Sequence, residues 1–186
     1  MIIGLTGKFA AGKGTVADLL VEQGYIYHSL SDILREELAA RGIPEGRETL
    51  MNLGNQLRRE GGPGVLATRL LSRLQDGRDH IVDSIRNPVE VEELRRLEAF
   101  VLVGIDAEQR LRFDRLRARQ RVGDPEDWEE FQRLEAAETA SSDPAKQQLA
   151  GTFALRDHTI QNDGSTAELG DELARLLKTL GLGAEA

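Results

Sequence analysis

Residues 1–15 read MIIGLTGKFAAGKGT and decide the fold of this chain. The apolar run from Met1 to Leu5 is typical of a buried strand, and a helical pattern begins at Thr15. Between them, Gly7 to Thr15 have the spacing Gly-x-x-x-x-Gly-Lys-x-Thr. A glycine-rich turn that leads from a strand into a helix presents successive backbone N–H groups to an anion, where the helix dipole favours it. The stretch therefore predicts a phosphate-binding loop.

The residues of this loop have separate expected roles. Gly7 and Gly12 permit backbone geometry that a residue with a Cβ would resist. The Lys13 ammonium is expected to reach the β- and γ-phosphates of a nucleotide, and the Thr15 hydroxyl is expected to touch phosphate or metal. The predicted nucleotide-binding residues of the loop are Gly7, Lys8, Ala10, Ala11, Gly12, Lys13, Gly14 and Thr15. A chance glycine-rich turn is the alternative, and the strand before it and the helix after it argue against that reading.

Composition excludes several classes of protein. The chain has 186 residues, of which 40% are hydrophobic, and this suits one packed α/β domain. The absence of cysteine excludes disulfides, thiolate nucleophiles and thiolate metal sites. The net charge of −8 argues against a surface that coats nucleic acid. No apolar run approaches the ~18–20 residues of a membrane span, and no signal peptide is recognisable, so we expect a cytoplasmic protein, as a monomer or a homodimer.

Apolar runs alternate with amphipathic stretches, which predicts a three-layer α/β/α fold around a five-stranded parallel sheet. The predicted strands are residues 1–5, 25–29, 80–83, 100–105 and 158–161. The predicted helices are residues 15–22, 32–41, 49–59, 65–74, 89–97, 108–119 and 167–180. Ser165 with Glu168 predicts a capping box for the last helix, and Asp106 is the expected N-cap of the helix at 108–119. Residues 31–74 and 119–153 interrupt the alternation with helical stretches, and excursions of this length are typical of lids and binding loops.

The loop form Gly-Lys-Gly-Thr resembles adenylate kinases and related nucleoside monophosphate kinases. The segment from Ser29 to Arg35, SLSDILR, is similar to the one that follows the second strand in those kinases. The resemblance implies that Arg35 grips the acceptor phosphate. It also implies that residues 31–74 form an acceptor-binding insertion and that residues 119–153 form a short lid, both within one kinase domain.

The segment from Asp83 to Pro88, DSIRNP, is similar to the Asp-Gly-aromatic-Pro-Arg signature of that family, with Ser84 in place of glycine. The resemblance implies that Asp83 holds the water shell of Mg²⁺ and that Arg86 contacts phosphate. An aspartate at the carboxyl end of a strand beside a phosphate loop also suits a metal ligand on physical grounds. A structural salt bridge is the alternative role for Arg86.

Arginines crowd the helix that leads into the second helical stretch: Arg112, Arg115, Arg117, Arg119 and Arg121. Helical spacing places the first, second and fourth of them on one face. The resemblance implies that Arg119 and Arg121 close over the transferring phosphoryl group. The segment from Thr159 to Gly164, TIQNDG, is similar to the last strand and turn of these kinases, which implies that Asn162 and Gly164 lie against the nucleotide.

These features together predict a kinase that uses ATP and Mg²⁺ to phosphorylate a small phosphorylated acceptor, either a nucleoside or a deoxynucleoside monophosphate. Such an acceptor is already a nucleophile and needs no general base, which agrees with a sequence rich in arginine and without an evident His–carboxylate pair. Dephospho-CoA kinases are also similar in size and in the opening Gly-Leu-Thr-Gly. They carry an Asp-Ala-Asp run where this chain has Ser29-Leu30-Ser31. An ATPase or GTPase switch and a non-catalytic nucleotide-binding module are the remaining alternatives.

Overall fold

The computed structural model describes residues 1–74, 76–119, 124–139, 143 and 145–182. Five parallel strands form one sheet in the order β2-β3-β1-β4-β5, with neighbouring strands paired throughout. The strands are β1 (Ile2–Thr6), β2 (Ile26–Ser29), β3 (His80–Asp83), β4 (Phe100–Asp106) and β5 (His158–Gln161). The predicted parallel sheet of five strands is confirmed.

Helices fill the connections between the strands. They are α1 (Lys13–Glu22), α2 (Leu30–Ala40), α3 (Arg47–Gly61), α4 (Val65–Leu70) with a 3-10 turn at Leu71–Leu74, α5 (Pro88–Leu94), α6 (Gln109–Arg119), α7 (Trp128–Thr139), α8 (Leu149–Ala154) and α9 (Thr166–Thr179). Three of them, α2 to α4, make up the first helical stretch, and α7 and α8 lie in the second. Across the described ranges, no helix is both long and apolar enough to span a bilayer.

The two faces of the sheet bury alternate side chains, as parallel strands covered on both sides require. Ile2 of β1 packs into a cluster with residues of α2 to α5. Its neighbour Ile3 packs into a second cluster with residues of α1 and α9. Val82 and Ile81 of β3 divide between the clusters in the same way. The sheet is therefore the middle of three layers, as predicted.

A third, smaller cluster joins the second helical stretch to the phosphate loop. Phe113 and Leu116 of α6 and Phe131 of α7 are buried together, and Phe9 and Ala10 of the loop pack against them. The ring of Trp128 is stacked on that of Phe131, with centroids 5.4 Å apart. The cluster fixes α7 beside the loop.

One of the two predicted helix caps is present and the other is wrong. Ser165 and Glu168 form the capping box of α9. Asp106 is instead the last residue of β4, and its Oδ1 accepts from the N–H of Ala107 at 2.9 Å. The N–H of Glu108, just before α6, donates to Asp163 Oδ1 at 2.7 Å. Because β5 pairs with β4, the turn after β5 brings Asp163 to this position, which local spacing does not reveal.

Candidate active site

The phosphate loop connects β1 to α1 and depends on two glycines. Gly7 has φ +147° and Gly12 has φ +107°, a region that residues with a Cβ rarely adopt. A Cβ on Gly7 would collide with the carbonyl oxygen of Ile105, and one on Gly12 would collide with the amide of Asn162. Both positions therefore require glycine for backbone conformation and for space. The loop consequently lies directly against β4 and the turn after β5.

Lys13, the first residue of α1, folds its side chain back over the loop. Its Nζ donates to the carbonyl oxygen of Gly7 at 2.7 Å and to that of Lys8 at 3.0 Å. The ammonium is thereby held at the same turn whose N–H groups are predicted to bind an anion. This arrangement sets the positive charge of Lys13 beside the N-terminus of α1. The ammonium and the helix dipole both favour binding of a polyphosphate.

Asn162 braces the loop from the other side. Its side chain is buried, and Nδ2 donates to the carbonyl oxygen of Ala11 at 2.8 Å. Its own N–H donates to Asp106 at 2.8 Å, which fixes the turn to the end of β4. The side chain of Asn162 therefore supports the shape of the loop, in addition to any contact with a nucleotide.

A cavity of about 750 Å³ opens above the loop and contains most of the predicted site. The predicted site residues that line it are Ala10, Gly12, Lys13, Gly14, Thr15, Arg35, Asp83, Arg86, Arg119, Asn162 and Gly164. Gly7, Lys8 and Ala11 form the base of the loop, outside this lining. Arg121 lies outside the described residues. We call this space the loop cavity.

Asp83 lies at the carboxyl end of β3, where it faces the loop cavity with Thr15. Its Oδ1 accepts from the N–H of Ser84 at 2.5 Å, and its Oδ2 accepts from the Tyr27 hydroxyl at 3.2 Å. Burial, with the nearby Asp83 charge, raises the pKa of Tyr27 to about 12, so this phenol remains a hydrogen-bond donor at neutral pH. Asp83 is thereby oriented as an acceptor.

The residues present suit a magnesium ion that arrives with a nucleotide. Mg²⁺ usually keeps several waters and is bound by one or two carboxylates together with substrate phosphates. Thr15 and Asp83 offer one hydroxyl and one carboxylate on the loop cavity. No cluster of three or more His, Cys, Asp or Glu that could hold a metal by itself is present in the part of the chain that the structure describes.

A second cavity, of about 700 Å³, lies between the sheet and the helices α2 and α3. We call it the helical cavity. Phe9, Arg35, Ser84 and Arg86 line both cavities. The two spaces therefore adjoin at two arginines, with the phosphate loop on one side and the helical insertion on the other.

Both shared arginines are held by polar partners. Arg35 Nε donates to Glu45 at 2.9 Å, and its Nη1 donates to Asp32 at 2.7 Å. All three side chains are partly exposed, and such ion pairs contribute only about 0–1 kcal/mol, so an incoming phosphate can displace them. Arg86 Nη1 donates to Gln147 at 3.1 Å, and its guanidinium lies 5.8 Å from the Phe9 ring centroid.

The arginines of α6 have different surroundings, although their spacing suggests one shared face. Arg119 forms two hydrogen bonds of 2.8 Å with Asp124 at the edge of the loop cavity. Arg115 also lines this cavity, and its Nη2 is 3.4 Å from Asn162 Oδ1. Its Nη1 is buried and has no hydrogen-bond partner among the described residues. This nitrogen is enclosed by protein, while the Arg115 side chain adds positive charge to the wall of the loop cavity; the sequence marked Arg115 only as one member of a cluster.

Arg112 is buried and belongs to a structural network instead of a face that closes over substrate. Its Nη2 donates to Glu135 Oε1 at 2.8 Å, and Lys8 Nζ lies 3.0 Å from the same oxygen. Burial acts to raise the pKa of Glu135, but hydrogen bonds from Arg112, Gln109 and Lys8 outweigh it and lower the pKa. Glu135 of α7 thus joins the second helical stretch to the loop. Nothing in the local sequence distinguished it from the neighbouring acids.

A histidine–carboxylate pair that the sequence does not make evident lies at the start of β3. His80 Nε2 lies 2.8 Å from Asp76 Oδ1, and its Nδ1 lies 3.1 Å from His28 Nε2. His80 begins β3, at the opposite end of that strand from Asp83, and it lines neither cavity. The pair therefore stabilises the turn before β3 and is remote from the candidate site.

Comparison with known proteins agrees with this fold. A family model described as AAA domain matches residues 3–135. A UPF0200 protein of Hyperthermus butylicus is 34% identical over 97% of this chain and 95% of its own length, and one of Pyrococcus abyssi is 33% identical over 97% of each. The solved shikimate kinase of Bacteroides thetaiotaomicron shares the fold, with a TM-score of 0.62, 15% identity, and coverage of 98% of this chain and 99% of that one. The chain therefore belongs to the P-loop kinase-like family that this AAA domain model describes.

Proposed function

We propose that this protein is an ATP-dependent kinase that transfers the γ-phosphate to a nucleoside or deoxynucleoside monophosphate. The observation that carries the proposal is the pair of adjoining cavities, of about 750 and 700 Å³, that share Arg35 and Arg86. One cavity contains the phosphate loop and suits the donor, and the other suits an acceptor of similar size. The shared arginines line both cavities, which supports a role between the two phosphates.

On the donor side, the backbone amides from Gly12 to Thr15 and the Lys13 ammonium would bind the β- and γ-phosphates. Arg115, which lines the loop cavity, would supply a further positive charge from α6. Thr15 and Asp83 would hold Mg²⁺ through oxygen atoms and water. When bound, this ion neutralises charge on the phosphates and holds them in a fixed orientation.

On the acceptor side, Arg35 and Arg86 would neutralise and orient the acceptor phosphate. One oxygen of this phosphate forms a bond to the γ-phosphorus while the bond from that phosphorus to its bridging oxygen breaks. ADP leaves with the bond electrons, and the acceptor becomes a diphosphate. The chain supplies position and positive charge, and no side chain needs to remove a proton.

A hydroxyl acceptor, as in dephospho-CoA kinase, would instead require a base near the end of β2. At that place the Ser29 hydroxyl donates to Ser84 Oγ at 3.1 Å, and Asp32 is paired with Arg35. Neither serine is a base at neutral pH. These contacts favour an acceptor that is already an oxyanion.

The test is an ADP-release assay with Mg²⁺-ATP and separate arms for nucleoside monophosphates, deoxynucleoside monophosphates, dephospho-CoA and shikimate. We expect turnover that depends on a monophosphate. Lys13→Ala should lower kcat by a factor of about 10² or more, since it removes a charge that stabilises the transferring phosphoryl group, and the fold should remain. Lys178→Ala, in the last turn of α9, is the matched control. Wild-type turnover in Lys13→Ala, or ADP release that no acceptor changes, would contradict the proposal.

A further inference from the structure

Arg58 of α3 lines the helical cavity, and its side chain is only 5% exposed. Its Nε and Nη2 donate to Glu90 Oε1 at 3.2 and 2.7 Å. The other oxygen of Glu90 accepts from the N–H of Arg86 at 2.9 Å and from the N–H of Asn87 at 3.0 Å. One buried carboxylate thus fixes both Arg58 and the backbone that carries Arg86. The guanidinium is held rigidly at the wall of the cavity.

The remaining terminal nitrogen of Arg58 has no such partner. Within the ranges that the structure describes, Nη1 makes no hydrogen bond, and it is not enclosed by protein. It lies beside Gly54, which also lines the cavity: a Cβ on Gly54 would be 3.2 Å from this nitrogen. A donor-only group on a nearly buried side chain is therefore left unpaired by the described residues at the wall of the helical cavity.

Gly54 lies in the interior of α3, and its backbone conformation does not require glycine. It has no positive φ, and glycine in a helix interior is less favourable than alanine. A Cβ here would also approach Leu34 Cδ1 to 3.4 Å. What glycine provides at this position is the space between Leu34 and Arg58. The space suits a ligand atom that reaches Nη1.

One part of the wall of the helical cavity, beside Arg58, is apolar. Leu50 and Met51 of α3 and Leu34 of α2 line it, and Met51 is 46% exposed although it is hydrophobic. An apolar wall with a polar group fixed beside it, together with further polar side chains such as Arg35 and Arg86, is typical of a site that orients a small molecule. A planar ring between these side chains, with an accepting atom at Arg58, satisfies both features.

We propose that the helical cavity recognises a nucleobase carbonyl through Arg58 Nη1, in the space that Gly54 leaves. The inference rests on the proposed function. A carbonyl oxygen of the acceptor base would accept a hydrogen bond from Arg58 Nη1. An exocyclic amino group at the same position is itself a donor, so it could not pair with Nη1 in this way. Arg58 is in this sense a specificity-determining residue, and the phosphate is bound separately by Arg35 and Arg86.

Two pairs of monophosphates differ in this group and in the hydrogen that the carbonyl form carries on the adjacent ring nitrogen. Inosine and adenosine monophosphate exchange a carbonyl for an amino group on a purine, and uridine and cytidine monophosphate do so on a pyrimidine. The measurement is kcat/KM for each of the four with the wild-type protein. We expect the carbonyl member of a pair to be preferred by roughly 10- to 100-fold, the range for a hydrogen bond to a charged group.

Two variants separate recognition from folding. Gly54→Ala fills the space without removing any charge, so it should raise the acceptor KM by about 10-fold and leave the KM for ATP unchanged. Gly170→Ala, in the interior of α9 with no atom within 4 Å of the added Cβ, is the matched control for helix propensity. Arg58→Gln/Glu90→Gln removes the charged donor and its partner together, and it should bring the carbonyl-to-amino ratio towards one.

The outcomes are distinct. A carbonyl preference that both Gly54→Ala and the double variant reduce, with Gly170→Ala unchanged, supports the proposal. Equal use of both members of each pair, an amino preference, or a ratio that neither variant changes overturns the inference while the kinase assignment stands. If shikimate or dephospho-CoA is phosphorylated and no monophosphate is, then the proposed function fails and this inference fails with it.

Discussion

The buried pair of Arg58 and Glu90 permits a quantitative prediction. Glu90 is fully buried and accepts four hydrogen bonds, two from Arg58 and two from backbone N–H groups. Glu90→Gln keeps the shape and one accepting oxygen but removes the negative charge. Because the guanidinium then remains buried without its counter-charge, we expect a loss of about 3–5 kcal/mol in the free energy of unfolding. At about 2–4 °C per kcal/mol for a chain of this size, Tm should fall by roughly 6–20 °C.

The double variant Arg58→Gln/Glu90→Gln tests the reason for this loss. Both charges are removed, and two amides can hydrogen-bond to each other, so most of the stability should return. The corresponding interaction free energy in a double-mutant cycle should be about 2 kcal/mol or more, because the two residues share direct contacts. Additive losses would show that the two side chains act independently.

The assay is urea unfolding at pH 7, followed by circular dichroism, with equal m-values required across the set. Arg73→Gln is the matched control, because Arg73 forms an equally short ion pair with Glu36 in which both side chains are exposed. We expect this control to lie within about 1 kcal/mol of the wild type. A similarly small loss for Glu90→Gln would refute the reasoning, since burial would then make no difference to the pair.

Two further predictions concern the supports of the phosphate loop. Glu135→Gln should raise the KM for ATP and reduce stability at neutral pH, because Arg112 and Lys8 lose their shared carboxylate. The pKa of Glu135 is lowered in the folded state, so its contribution to stability is present above the ordinary value of 4.5 and is lost as the pH falls through the folded-state pKa. Urea midpoints between pH 7 and pH 2 should therefore show a flatter acid limb for Glu135→Gln, and parallel curves would contradict this. Asn162→Ala should leave the Ala11 carbonyl oxygen without its 2.8 Å hydrogen bond, and the free energy of unfolding should fall by about 1–3 kcal/mol. Calorimetry should also show weaker ATP binding. Unchanged affinity would show that the loop keeps its shape without Asn162.

The sequence by itself determined the sheet and the phosphate loop. The loop is a local feature, since two glycines, a lysine and a threonine at fixed spacing lie between one strand and one helix. Alternation of apolar runs with helical periodicity is local as well, and it predicted all five strands. The capping box joins Ser165 to Glu168, three positions apart, and was predicted from the sequence in the same way. Residues in these elements act on neighbours within a few positions, so a pattern in the chain is sufficient to find them.

The tertiary structure alone decided which charged residues belong to the candidate site. Arg112, Arg115 and Arg119 look alike in sequence, but one is buried with Glu135, one has an unsatisfied donor and one is paired with Asp124. Glu135 reaches the loop only because α7 packs against it. Adjacent strands bring Asp163 to the start of α6 in the same way. These partners lie far apart along the chain, and charge acts through distance and burial, which the order of residues does not specify.

The clearest case is the helical cavity. Gly54 and Arg58 are one helical turn apart, and Glu90 lies on another helix that β3 and its loop place beside them. In sequence they are a glycine, an arginine and a glutamate among many. Only the packing of α4 against both α3 and α5 brings the pair together and, within the described ranges, leaves one guanidinium nitrogen unpaired beside Gly54, because that geometry follows from how the helices meet.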